Sequence, residues 1–212
     1  LSSSDGRPSV LALPGFPAVA SLTLCARNFG GAMKMRLANA LNMAKLVIAD
    51  CLPLARCAVD ATAGNGRDTL HLAQHMPPDS SIWAFDIQQT ALDNTKKLLA
   101  SHGFAGRVNL IHDCHSRVAE YVTMPVDVAL FNLGYLPGAS HDLVTKTETT
   151  IEALRQTASL LSAGGKITLV AYPGHSSGTE ERIAVETFLS ALPQETFTVA
   201  CWQMLNQINN PP

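Results

Sequence analysis

The sequence predicts an α/β fold: a Rossmann-like, doubly wound, mostly parallel sheet with helices on both faces. Three observations predict it. Short apolar runs alternate with helical periods along most of the 212 residues. Each of the first four runs closes on a polar side chain, Asp60, Asp86, Asp113 and Asn132, at separations of 26, 27 and 19 residues (60 to 86, 86 to 113, 113 to 132), one β-α unit each. The first run leads through Gly64-Asn-Gly66 into a helix, the arrangement by which α/β proteins offer backbone N–H groups to a nucleotide-like ligand.

Taken in order, residues 1–32 are Ser-, Pro- and Gly-rich with a single acid, Asp5, and read as a leader outside the domain. An expression leader, upstream translated sequence and the tail of a transit peptide all fit that composition, and Met33 or Met35 would be natural starts. Residues 33–212 are expected to form one domain. Leu37, Leu41, Ala44 and Ile48 recur at the helical period over 37–50. Cys57–Ala61 is the first strand and 68–75 its helix, stopped by Pro77-Pro78. Ser81–Asp86 is the second strand; 90–102 is amphipathic, with Leu92, Leu98 and Leu99 inward and Gly103 as its cap. Arg107–Asp113, a short helix at 116–122 and Val126–Asn132 follow. After a polar loop over 133–146 come a helix at 148–161, a turn at Gly164-Gly165, a fifth strand at 166–172, a helix at 179–192 and a sixth strand at 197–205.

Composition narrows the class. Hydrophobic residues make up 47% and charged residues 15%, which describes a chain that buries a core. A net charge of −2 gives no global basic signature, so a nucleic-acid partner would have to be held by a local patch. Cysteines 25, 51, 57, 114 and 201 form no C-x-x-C, as expected of free thiols in a reducing cytoplasm. No apolar run is long enough to cross a bilayer.

The chemistry sits at the strand ends. A dinucleotide fingerprint needs a third glycine where Thr69 stands, and Asp60 lies four residues before Gly64. An acid at that place suits a ligand bearing an ammonium, such as the methionine part of S-adenosylmethionine. Asp86 can accept two vicinal ribose hydroxyls through its two oxygens, Ile87 can pack on an adenine face, and Asp113 with the backbone of Cys114 can read the adenine amino edge. For each acid alone, a helix N-cap is the alternative. Asn132-Leu-Gly-Tyr-Leu-Pro137 has the outline of the Asn/Asp-Pro-Pro-Tyr loop of amino-group methyltransferases, with Leu133-Gly134 in place of the prolines. There an amide oxygen and a carbonyl accept from the target nitrogen, and an aromatic ring stabilises the developing cation. His71 and His75 lie one helical turn apart without a glutamate at 72, and His112-Asp-Cys-His115 cannot turn four neighbouring side chains onto one ion, so no metal is expected.

Several segments occur together and in one order: Asp60–Leu70, Phe85-Asp-Ile-Gln88, Asn132–Gly138, Thr147-Glu-Thr-Thr150, Tyr172–Gly178 and Asn206–Pro212. As a set they resemble the YtqB/MnmM family, long labelled rRNA methylases and understood as tRNA 5-aminomethyl-2-thiouridine methyltransferases acting at the wobble uridine. The resemblance covers about residues 36–212 and implies a class I methyltransferase fold with S-adenosylmethionine as cofactor, the tRNA anticodon loop as partner and a homodimer. It implies a cofactor site at Asp60, Ala61, Thr62, Gly64, Asn65, Gly66, Asp68, Thr69, Asp86, Ile87, Gln88, Asp113, Cys114, Asn132 and Leu133. Asn132, Tyr135, His141 and His175 are the catalytic candidates; Gly134, Leu136, Pro137, Gly138, Tyr172 and Gly174 would face the substrate. Ser140 stands where relatives are expected to carry an acid. Relatives are also expected to continue past Pro212 into a final antiparallel strand, missing from this chain. A methyltransferase of rRNA or of a small molecule, and a non-catalytic nucleotide-binding module, stay open beside this reading.

Overall fold

The computed structural model describes residues 40–133, 146–171 and 176–202, the side chains of 176–179 excepted. The elements run α1 (Ala40–Ile48), a 3-10 turn (Leu52–Leu54), β1 (Cys57–Asp60), α2 (Arg67–His75), β2 (Ser81–Asp86), α3 (Gln89–Ser101) and β3 (Asn109–His112). A second 3-10 turn (His115–Arg117) runs into α4 (Val118–Tyr121), followed by β4 (Val126–Leu133), α5 (Thr147–Leu160), β5 (Leu161–Ala171) and α6 (Ser176–Ser190). The strands form one sheet in the order β3-β2-β1-β4-β5, and every pairing is parallel. Strand order reverses between β1 and β4, so a crevice opens beyond their carboxyl ends.

The two-residue period of the strands divides the core into two layers. Cys57, Val59, Ala129 and Phe131 face one side and pack with Val118, Val122, Ala153, Leu154 and Val185 from α4, the segment after it, α5 and α6. Ala58, Ile82, Val128 and Leu130 face the other and pack with Ile48, Leu72, Ala73 and Leu99 from α1, α2 and α3. Helix α3 ends as expected at Gly103, whose φ is 81°. The Phe104 N–H donates to the Leu99 carbonyl (2.8 Å) and the Gly103 N–H to that of Ala100 (3.1 Å), a Schellman closure with Phe104 and Leu99 in one apolar cluster. At the opposite pole of the sheet, Asp127 accepts from the Arg56 N–H (2.7 Å), the Cys57 N–H (3.1 Å) and the Ser162 hydroxyl (2.6 Å). One carboxylate thus joins the starts of β1, β4 and β5.

Two expectations are corrected. The sixth strand is absent over 197–202; residues 203–205 lie outside the described residues. Val199 and Trp202 (59% exposed) have strand-forming side chains, yet among the described residues no strand pairs with them. The fifth strand begins at Leu161, five residues early, because Gly164-Gly165 form an irregularity within it rather than a turn before it. The register shifts between Val126, paired with Leu161, and Val128, paired with Lys166. A Cβ on Gly165 would stand 2.9 Å from the Val126 carbonyl oxygen, so the bulge needs glycine. Among the described residues no strand pairs with the outer edge of β5.

Candidate functional site

The site is built from the carboxyl ends of β1, β2 and β4. Asp60 closes β1 and is 1% exposed. Its carboxylate accepts from the Thr62 N–H (3.2 Å) and the Thr69 hydroxyl (2.6 Å), so it folds the glycine loop back onto the strand that feeds it. Burial above all, then the neighbouring Asp68 charge, pushes the Asp60 carboxyl up to about 7. Gly64 and Gly66 have φ values of 53° and 81°. Gly66 is further constrained from outside the loop, since a Cβ there would lie 2.8 Å from Thr95 Cα. The Thr95 hydroxyl donates to the Gly64 carbonyl (3.0 Å), and Asn94 donates to Asn65 Oδ1 (3.1 Å), so α3 braces the loop.

Asp86 closes β2 with its oxygens shared between two segments. Oδ2 accepts the Gly64 N–H and Oδ1 the Gln88 N–H, both at 2.9 Å. Each oxygen keeps a second lone pair for a hydroxyl donor. Beside it Ile87 is 50% exposed, an apolar surface next to a carboxylate. Asp113 departs from expectation. Its Oδ2 is taken by the Arg117 guanidinium (2.6 Å) and the Tyr121 hydroxyl (2.7 Å), and its Oδ1 receives the Cys114 N–H (2.7 Å). The Tyr121 bond first holds its carboxyl below the usual carboxylate range. Only one lone pair of Oδ1 and the Cys114 backbone are left for a ligand's edge.

On β4 the backbone N–H of Asn132 donates to Thr62 Oγ1 (2.7 Å), which ties the strand end to the glycine loop. Asn132 lines a narrow cleft with Leu41, Lys45, Asp68 and Thr168. Ala61 and Leu133, expected at the cofactor, bury their side chains in the core, and the Thr69 hydroxyl is committed to Asp60. These three build the scaffold, and only their backbones can meet a ligand. Gly134, Tyr135, Leu136, Pro137, Gly138, His141, Tyr172, Gly174 and His175 lie outside the described residues.

Two side chains take roles near the site that the sequence does not announce: Lys45, which no motif singles out, and His115, weighed there only as a metal ligand. Lys45 of α1 pairs with Asp68 at 2.9 Å, a contact between elements that no local motif encodes. His115 is buried with Nδ1 3.0 Å from the Ala61 carbonyl; a carbonyl only accepts, so Nδ1 carries the hydrogen, and burial holds the imidazole below its ordinary pKa. The other ring contacts diverge. His75 Nδ1 donates to the His71 carbonyl (2.8 Å) and His112 Nε2 to that of Ile87 (3.0 Å). Among the described residues no group of three or more His, Cys, Asp or Glu side chains gathers for a metal ion.

A parallel 3-2-1-4-5 sheet, a glycine loop after β1 and an acid closing β2 define the class: the Rossmann-like fold of class I methyltransferases. Among solved structures, the chain resembles one described as a "putative rRNA-methylase" from Clostridium thermocellum (38% identity, TM-score 0.77, covering 82% of this chain and 94% of that one). It is also similar to SMU.1697c from Streptococcus mutans, described as a "putative methyltransferase" in complex with SAH (38% identity, TM-score 0.69, covering 78% and 92%). The family model described as "Putative rRNA methylase" matches residues 82–212, and the chain belongs to that family. It is 40% identical over 159 residues to the chloroplastic tRNA (mnm(5)s(2)U34)-methyltransferase of Arabidopsis thaliana, covering 70% of this chain. The chain spans 58% of the length of that relative.

Proposed function

We propose that this chain is an S-adenosylmethionine-dependent N-methyltransferase that converts the 5-aminomethyl group of a tRNA wobble (2-thio)uridine to 5-methylaminomethyl. One observation carries the reading: the glycine loop and Asn132 are a single hydrogen bond apart, through Thr62. A cofactor loop and an amine-accepting side chain must be held together in this way for methyl transfer to nitrogen. The name of the Arabidopsis relative supports the substrate.

The residues fit the cofactor by the chemistry of their donors and acceptors. Asp86 has an acceptor to spare on each oxygen for a pair of ribose hydroxyls, Ile87 offers an apolar face for adenine, and Asp68, which lines the cleft beside Asn132, suits an ammonium. When bound, S-adenosylmethionine supplies an electrophilic methyl group. This chain's part is alignment. An alkylamine has a pKa of about 10 and must be neutral to act as a nucleophile. The Asn132 amide oxygen accepts from the neutral amine and orients its lone pair; His141 or His175 would take the released proton. With a net charge of −2, tRNA affinity would rest on a local basic patch and fall steeply with salt. A homodimer and a cytoplasmic location belong to the same reading.

Because the family model's description names rRNA, ribosomal RNA is the second reading. Nucleoside mass spectrometry of tRNA and rRNA from a strain lacking the gene, with and without complementation by this chain, separates the two. Accumulated 5-aminomethyl-2-thiouridine is the expected result; an unchanged tRNA profile with a missing rRNA methyl overturns it. Labelled methyl transfer in vitro to tRNA from the deletion strain, which carries the 5-aminomethyl group, abolished by Asn132→Ala with cofactor binding intact, separates an enzyme from a binding module.

A further inference from the structure

Charge is unevenly distributed around the end of β1. Asp60 and Asp68 are close enough for Asp68 to raise the Asp60 pKa, and Asp68 sits in the first turn of α2. Opposite them, Lys45 Nζ lies 2.9 Å from Asp68 Oδ1, with side chains 32% and 16% exposed. Both line the cleft that contains Asn132, and among its described lining residues Lys45 is the only cation. Of these groups Asp68 and Lys45 reach the cleft, while Asp60 stays buried with both oxygens bonded.

An ammonium has three donors, and the ion pair with Asp68 occupies one, so Lys45 can take a second anionic partner without giving up the first. Its helix is fixed from the far end: Lys166 of β5 donates to the Val47 carbonyl (2.9 Å) and to Asp50 Oδ1 (2.5 Å). Lys45 thus pairs with Asp68, two residues past Gly66, and shares the lining of one cleft with Asn132. A ligand with an ammonium and a carboxylate on one carbon would match this pattern, its ammonium toward Asp68 and its carboxylate toward the lysine.

We propose that Lys45 binds the carboxylate at the amino-acid end of the cofactor, with Asp68 holding the lysine in position. This deepens the methyltransferase reading and rests on it. It also gives α1 a function: the helix that precedes the glycine loop in sequence closes the amino-acid end of the site.

The test is calorimetric titration of the full chain with S-adenosylhomocysteine and with 5′-methylthioadenosine, which keeps the adenosine and sulfur but lacks the amino-acid end. Lys45→Met is expected to weaken S-adenosylhomocysteine about tenfold, the scale of one charge-assisted hydrogen bond, and to leave 5′-methylthioadenosine within about twofold. Lys45→Gln, which retains a donor for Asp68, is expected to show the same selective loss, and Lys45→Arg to restore most of the affinity. Unchanged S-adenosylhomocysteine affinity in both neutral variants overturns the proposal. So does equal weakening of both ligands, which would mean a loosened loop. If neither ligand binds the wild-type chain, the cofactor reading itself has failed, which is a different result.

Discussion

The backbone N–H of Asn132 lies 2.7 Å from Thr62 Oγ1. Thr62 is two residues past the end of β1 and Asn132 one residue before the end of β4, 70 residues apart in sequence. The bond spans the point where strand order reverses, so the position of Asn132 depends on the same loop that would hold the cofactor.

Replacing Thr62 should therefore affect catalysis more than binding. Thr62→Val leaves the Asn132 N–H without its acceptor at a half-buried position, a loss of about 1 kcal/mol in stability. The rate of methyl transfer should fall roughly tenfold, as expected when a reacting group is misplaced, with less change in cofactor KM. Thr62→Ser, which keeps the hydroxyl, should recover most of the rate. Steady-state kinetics on tRNA carrying 5-aminomethyl-2-thiouridine would check the pair; an unaffected Thr62→Val enzyme would show that the bond positions nothing.

Asp86 serves the loop and the proposed ribose contact at once. Asp86→Asn replaces one acceptor oxygen by an NH2 group that faces the N–H of Gly64 or Gln88. Affinity for S-adenosylhomocysteine, read by calorimetry, should drop by about tenfold or more.

The buried Asp60 gives a signature in pH. Its folded pKa is raised to about 7 from the ordinary aspartate value of 3.8, so the folded state holds a proton that the unfolded state releases first. The stability linked to this group is fully present below pH 3.8 and is lost as pH rises through about 7. Melting curves of wild type and Asp60→Asn should therefore separate with pH: the wild type loses stability relative to the variant between these two values. Parallel curves would mean that Asp60 ionises normally in the folded chain.

Gly66→Ala should be among the most destabilising single-methyl changes in the molecule. The added carbon meets Thr95 backbone at 2.8 Å on a residue whose φ is 81°. A loss of about 2–3 kcal/mol in chemical denaturation is expected, together with weaker cofactor binding.

Much of this was legible in the sequence for a physical reason. Strands buried on both faces must be continuously apolar, so β1, β2 and β4 stand out within a residue or so of their observed bounds. Asp86 was legible because a carboxylate closing an apolar run is costly unless it has partners, and it has them. The apolar run after residue 197 looked equally strand-like, but a strand needs a neighbour, and no local pattern reports whether one is present. Gly164-Gly165 read as a turn because glycine pairs usually are; the close approach of the Val126 carbonyl, 39 residues upstream of Gly165 (126 to 165), lies outside any local window. Lys45 was overlooked for the same reason, since its partner belongs to another helix. Asp113 was recognised as important, but its commitment to Arg117 and Tyr121 became clear only once the following turn brought them back to it.

The Asp127 clasp makes the floor of the sheet a common datum from which three strands are measured. Rim segments other than the Thr62 loop can then vary in length and composition over a base that keeps β1, β4 and β5 in register. The fold separates the part that sets the strands' level from the parts that are free to differ.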